Sequence, residues 1–398
     1  MSKGGEQQDN EGSNNEQNRV CSWSLPEEIY LNIFSRLHIR YLIRCRCVCK
    51  FWHTLISDPY LVSMHLTHPQ GKEPDLILVV NEYEKDDESG NYRTRKNLYT
   101  VENIGCNDEA VKPLPLPPID LNPFAFCIKA SFDGLIWLTN SWTPSSKSFY
   151  VWNPCTGEIL RLPSPRTMMS KTSIFFGFDH NSSLNDYTLF GLFSNTNGSD
   201  NNLEAEVWTL GSGSWRRIGK VPFAPKFSTD CVSTVGALHW LSEDINPHSV
   251  YVGVCSFVIG NNKEFQFTPL PRKITCGNRY SIGSLWGCLS AVDYSFPRHI
   301  QIWILKQLGV KESWTKQYVM SIDEEDIFQL RLLCLLKCGK ILLQYNGMKL
   351  VSYNPKSRKI REIGLHRFLG NRNLDFDAFL HIGTLLSPMP CNRIVYES

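Results

Sequence analysis

Val151-Trp152-Asn153-Pro154, followed by Thr156-Gly157-Glu158-Ile159-Leu160-Arg161-Leu162, is the stretch on which the fold turns. A short apolar run ends in an aromatic, an Asn-Pro pair supplies turn chemistry, and a second short run follows. The arrangement returns near the C-terminus as Ser352-Tyr353-Asn354-Pro355 and Lys359-Ile360-Arg361-Glu362-Ile363. Between the two lie Glu206-Val207-Trp208 leading to Ser214-Trp215, Cys255-Ser256-Phe257 leading to Phe265-Gln266-Phe267, and Gln301-Ile302-Trp303 leading to Ser313-Trp314.

With the aromatics at 152, 208, 257, 303 and 353 as marker, the intervals are 56, 49, 46 and 50 residues, and Tyr99 extends the series by 53. A second marker precedes it in four units: Gly134-Leu135-Ile136-Trp137, Gly236-Ala237-Leu238-His239-Trp240, Gly283-Ser284-Leu285-Trp286 and Gly339-Lys340-Ile341-Leu342. A period near 50 with several short strands per unit implies propeller blades of the kelch kind, since one such unit has two apolar faces and buries them only against its neighbours. Nine of the 11 tryptophans lie beyond residue 130, which fits wedge filling between blades and disfavours a ligand cage. Six units are counted. The first lacks a Gly-Leu-Ile-Trp strand of its own, and the apolar run 378–386 is the candidate to supply it and seal the ring.

Ahead of the repeats the pattern is helical. Pro26 suits a helix start, Glu27 and Glu28 suit its first turn, and Ile29, Ile33 and Leu37 make one apolar stripe. Leu42, Cys45 and Val48 make a second, and a third helix from near Lys50 carries Trp52, Leu55 and Ile56 until Asp58-Pro59 stops it. Three helices over about 42 residues bury too little to stand alone, so they pack on the rest of the chain or are completed by another protein. The expected fold class is therefore α+β multidomain. A three-helix unit (23–66) and a linker (67–75) precede an all-β propeller-like domain (76–387) of about six blades closed by N- and C-terminal strands, with a disordered tail at 1–22 and a C-terminal tail at 388–398.

Leu25-Pro26-x-Glu28-Ile29-x3-Ile33-x3-Leu37, then Leu42-x2-Cys45-x2-Val48-Cys49-Lys50-x-Trp52-x2-Leu55-Ile56, resembles an F-box. The departure lies between the first two helices, where the family's Pro-Val-Lys-Ser is replaced by His38-Ile39-Arg40-Tyr41. Without the proline and the serine cap, that turn is expected to be looser by about 1 kcal/mol. The repeat region resembles the F-box-associated domain of plant F-box/kelch-like proteins through Phe132-Asp133-Gly134-Leu135-Ile136, Trp152-Asn153-Pro154, Phe176-Gly177-Phe178-Asp179 and Gly236-Ala237-Leu238-His239-Trp240. The repeated kelch double glycine is absent.

The resemblance implies a docking role. F-boxes bind the Skp-type adaptor of a cullin ubiquitin ligase, and the remainder of such a chain selects the protein to be ubiquitinated. By position, Leu25, Pro26, Glu28, Ile29, Ile33, Leu37, Leu42, Cys45, Val48, Lys50 and Trp52 would form or support the adaptor surface. Some of them must instead pack the helices together. Five Lys/Arg against three acids over 25–66 make a basic patch, which could steer an acidic partner or be an ordinary solvated face.

Composition narrows the classes further. A net charge of +2 gives no global field for nucleic acid, and no run of 18 apolar residues is present to span a membrane. The N-terminus has no secretory signal, so the 14 cysteines are expected to be reduced and the protein cytoplasmic or nuclear. Cys45-x-Cys47-x-Cys49 points three ways on a helix, and Cys334-x3-Cys338 has no second pair nearby, so neither reads as a metal site. No nucleophile elbow, zinc-protease helix or phosphate loop is present, and no cofactor is called for. His239 reads as a core or lining residue. Asp323-Glu324-Glu325-Asp326 reads as a solvated loop. Three readings remain: a ligase substrate receptor, a propeller module capturing a glycan, small molecule or protein with the F-box in another role, and a propeller enzyme. Substrate identity is not readable; the loops 140–148, 195–203, 244–249 and 294–298 are candidates.

Overall fold

The structure is a computed structural model that describes residues 25–68, 74–85, 92–105, 109–119, 121–140, 148–164, 171–181, 186–195, 203–210, 212–223, 225, 231–234, 236–246, 249–258, 264–272, 279–322, 327–370 and 375–389. The expected terminal tail at 1–22, most of the linker (69–73) and the end of the C-terminal tail (390–398) lie outside the described residues.

The N-terminal unit has four helices rather than three: α1 (Glu27–Arg36), α2 (Ile39–Cys45), α3 (Lys50–Ile56) and α4 (Pro59–Thr67). The difference lies at Asp58-Pro59. Asp58 accepts the Tyr60 N–H at 2.7 Å as the cap of α4, and Pro59 occupies its first turn, so the pair that stops α3 starts α4. The turn before α2 is also capped, against expectation. His38 itself is the N-cap, its Nδ1 accepting the Arg40 N–H at 3.3 Å, so an imidazole does the work expected of the missing serine. Cys49 plays the same part for α3, its Sγ accepting the Trp52 N–H at 3.4 Å.

The rest is a six-bladed propeller of four-stranded antiparallel sheets. The first blade contains β1 (Asp75–Lys85), β2 (Tyr92–Glu102) and β3 (Ala110–Pro113). The second is β4 (Phe126–Phe132), β5 (Leu135–Asn140), β6 (Ser148–Trp152) and β7 (Ile159–Leu162). The third is β8 (Lys171–Asn181), β9 (Asp186–Asn195), β10 (Leu203–Thr209) and β11 (Arg216–Lys220). The fourth is β12 (Val232–Thr234), β13 (Ala237–Asn246), β14 (Ser249–Val258) and β15 (Phe265–Pro269). The fifth is β16 (Tyr280–Leu285), β17 (Cys288–Phe296), β18 (His299–Leu305) and β19 (Trp314–Ser321). The sixth is β20 (Leu330–Leu335), β21 (Ile341–Tyr345), β22 (Lys349–Asn354) and β23 (Lys359–Glu362). The chain then returns as β24 (Asp375–His381), which pairs antiparallel with β1 and takes the innermost place of the first blade.

Closure by both ends of the chain is thus present, with one correction. The C-terminal strand supplies the innermost strand, while β1 itself holds the second position that the Gly-Leu-Ile-Trp marker occupies in β5. The aromatic markers Tyr99, Trp152, Trp208, Phe257, Trp303 and Tyr353 all fall on the third strand of their blades. The glycine marker holds at Gly134, Gly236 and Gly339, each in the turn before its second strand with φ of +80°, +68° and +78°. It fails at Gly283, which lies inside β16; the turn there is Trp286-Gly287, and Trp286 is half exposed instead of filling the core. Gly283 serves another purpose, because a side chain there would collide with Leu332 of the next blade.

Most core residues lie between blades. Trp137, Phe149, Phe193, Trp208 and Trp215 form one such cluster, joining the second blade to the third. His239 is fully buried: Nδ1 lies 2.7 Å from Ser256 Oγ and Nε2 3.0 Å from Thr234 O. The carbonyl requires Nε2 to donate, so Nδ1 accepts from the serine, and burial pushes the imidazole pKa down to about 4.

Candidate functional site

Antiparallel pairing sorts the propeller's connections by face. Turns between first and second and between third and fourth strands gather on one face. Those between second and third strands, with the blade-to-blade crossings, gather on the other. The helices sit on the first face. Arg40 of α2 forms an ion pair with Glu102 at the end of β2, and Leu385 and Cys155 pack into the helical core with Phe34, Ile39 and Leu42. The helical unit is therefore completed by its own propeller.

One of its surfaces stays open. Leu25, Ile29 and Ile33 are 47%, 43% and 44% exposed, and Val48 and Phe51 are 63% and 47% exposed. The face of α1 that packs inward is Tyr30 and Phe34, not the Ile29–Ile33 stripe. Phe51 lies edge-on against Tyr30, ring centroids 5.5 Å apart, which brings the start of α3 alongside α1. Exposed apolar side chains thus occur on α1 and at the start of α3, on a unit whose other side is already covered.

The expected site residues divide accordingly. Leu25, Pro26, Glu28, Ile29, Ile33, Val48 and Lys50 are exposed. Leu37, Cys45 and Trp52 are partly buried against the helical core, and Leu42 is fully buried within it. Those four lie in or against the helical core and not on the exposed face. The exposed Phe51 is not singled out by the sequence because the motif names only its neighbours Lys50 and Trp52.

The seam beneath carries the charges. Glu102 binds Arg40 through one carboxylate oxygen and Lys112 through the other, the latter at 2.7 Å. Burial raises the Glu102 pKa, but these two cations outweigh it and hold the group below the usual carboxylate range. Asp75 goes the other way: burial, then the nearby Glu102 charge, raise it to about 6 against the pull of Arg40 and Lys112. His38 is held below the ordinary imidazole value by burial and by Arg40. Arg40 is therefore paired with the propeller while still exposed, and Arg36, Arg44 and Lys50 of the basic patch are exposed as well.

Elsewhere, Cys45 is partly buried, Cys47 and Cys338 are exposed, and Cys334 is buried in a core cluster. Among the described residues no three His, Cys, Asp or Glu stand together as a metal site requires. No helix among them is long and apolar enough to cross a membrane. The acidic run 323–326 lies outside the described residues, as do 141–147, 196–202 and 247–248 of the candidate loops. The second- and third-strand ends that flank all four candidate loops lie on the propeller face opposite the helices. In the described one, Arg272 lies over the exposed Phe296 ring at 5.1 Å.

The described chain is thus a four-helix unit with exposed apolar side chains, docked on one face of a six-bladed propeller. Comparison with known families places it. The F-box associated beta propeller domain matches residues 115–381, an F-box-like domain matches residues 22–65, and the chain belongs to this family of F-box proteins. F-box protein At3g07870 of Arabidopsis thaliana is 28% identical, covering 91% of each chain. F-box protein CPR1 of the same plant is 26% identical, covering 85% of this chain and 83% of that one. The F-box/kelch-repeat protein At3g23880 is 23% identical over 92% of this chain and 96% of its own.

Proposed function

We propose that this chain is the substrate-recognition subunit of a Skp–cullin–F-box ubiquitin ligase, acting in the cytoplasm or nucleus. The ridge of Leu25, Ile29 and Ile33, with Val48 and Phe51, docks the Skp-type adaptor and through it a cullin. The propeller holds a protein substrate on the face away from the helices. The chain performs no bond chemistry; it raises the effective concentration of its substrate near a ubiquitin-conjugating enzyme.

The observation that carries this reading is the exposure of the ridge on a helical unit whose inner face is already satisfied by Leu385 and Cys155. An apolar strip that no described residue of its own chain covers supports a second protein as its partner. The test is co-expression with a Skp-type adaptor, comparing wild type with Leu25→Ala/Pro26→Ala/Ile29→Ala by size exclusion. A stoichiometric complex lost in a still-folded variant is expected. Folded wild type that forms no complex would overturn the reading.

A further inference from the structure

The two Asn-Pro turns of the repeat use their Asn Oδ1 alike. Asn153 Oδ1 accepts the Cys155 and Thr156 N–H groups at 2.8 and 3.4 Å, and Asn354 Oδ1 accepts those of Lys356 and Ser357 at 3.0 and 3.3 Å. Asn153 does something more. It is fully buried, and its Nδ2 donates to the Thr384 carbonyl at 3.0 Å and the Leu386 carbonyl at 2.7 Å. A second bond within the segment, from Leu386 N–H to Thr384 Oγ1 at 3.1 Å, fixes the same bend. The residue between the two clamped carbonyls is Leu385, which the bend sends into the helical core.

One step earlier, Ile39 at the start of α2 rests on the backbone of Gly383. A Cβ at 383 would lie 2.5 Å from Ile39 Cγ2 and 3.2 Å from Cys155 Sγ. The chain just past the ring-closing strand therefore reaches the helices through a buried apolar plug and a close backbone approach, with the Arg40–Glu102–Lys112 charges at the edge.

We propose that residues 382–387 form a rigid joint, positioned by Asn153 and seated by Gly383 and Leu385, that fixes the helical unit at one angle to the propeller. The significance of the joint rests on the adaptor reading above: it sets the span between the docking ridge and the opposite propeller face. A loose tether would spread that span and dilute the effective concentration that transfer depends on. The joint itself does not depend on that reading.

The test exchanges volume across the seam in the full chain. Gly383→Ala adds a methyl against Ile39, Ile39→Ala removes the side chain, and the double variant does both. Hydrogen exchange of residues 39–45 is expected to quicken about tenfold or more in either single variant and to return to within about threefold of wild type in the double, because the two changes compensate only if they meet. Adaptor affinity, where binding occurs, should stay within about twofold throughout, since no ridge residue is altered. Small-angle scattering of the adaptor complex should broaden for the single variants and recover for the double. Wild-type exchange in both single variants, or a double variant no tighter than the singles, would overturn the joint. Absence of adaptor binding by wild type would overturn the ligase reading, while the exchange data would still decide the joint.

Discussion

Leu78 of β1 and Ala378 of β24 face each other across one antiparallel pair, so the two ends of the propeller are hydrogen-bonded neighbours in a single sheet. The pairing runs from Asp75↔His381 to Asn81↔Asp375, and Asp375 also accepts hydrogen bonds from Asn81 Nδ2 at 3.0 Å and Tyr83 OH at 3.1 Å. Without β24 the ring has an open inner edge.

Truncation after residue 374 is accordingly expected to unfold the whole propeller. The loss includes Phe376 and Ala378, buried with Leu76 and Leu78 in the cluster between the first and last blades. Circular dichroism against temperature checks this: the fragment should show no cooperative transition, and a sharp melt from soluble fragment would refute closure as the source of cooperativity.

Ridge and core of the helical unit should respond oppositely to shortening. Leu42→Ala empties a fully buried site and is expected to cost about 2–5 kcal/mol, whereas Ile33→Ala, half exposed, should change stability by under about 1 kcal/mol. Urea unfolding followed at Trp52, which lies 5.1 Å from Phe34 between ring centroids, reads both. Equal effects would mean that the ridge is not open in solution.

Asp75→Asn is expected to stabilise the protein at neutral pH. The Asp75 pKa is raised on folding from 3.8 to about 6, so its favourable contribution is complete below pH 3.8, fades as pH rises towards 6 and is gone above it. An amide never ionises beside Glu102. The gain should be about 1–2 kcal/mol at pH 7.5 and vanish near pH 4, measured as the difference between variant and wild type so that other titrating groups cancel. A variant less stable at pH 7.5 would show that Arg40 and Lys112 more than offset the burial of this carboxylate.

Gly134 and Gly236 share a left-handed turn, at φ +80° and +68°, but not its surroundings. A Cβ at Gly236 meets open space, so Gly236→Ala should cost about 1–2 kcal/mol of backbone strain alone. At Gly134 the same methyl overlaps the Ile382 carbonyl and Thr384, so Gly134→Ala should cost a further 1–3 kcal/mol or so. Calorimetric melting of the two variants compares them, and equal losses would argue against the close approach of 382–384 to this turn.

Much of this architecture was written locally. The third-strand aromatics, the Asn-Pro turns and the positive-φ glycines at 134, 236 and 339 each answer to a strand or turn a few residues long, so counting them yields six blades. The same holds for Pro26, Glu27 and Glu28 at the start of α1. The Gly283 marker misled because a glycine before an aromatic has two physical uses, a turn and a close approach between blades, and the sequence shows only the residue.

The tertiary structure decided what each surface meets. Tyr30 and Phe34 of α1 turned inward and Ile29 and Ile33 outward, Arg40 was drawn to Glu102, and Leu385 entered a core more than three hundred residues away in sequence. Periodicity fixes which side chains share a face, because the helix repeat is a property of the backbone. Which face is buried depends on the partner that arrives, and here that partner is the segment following the strand that closes the ring.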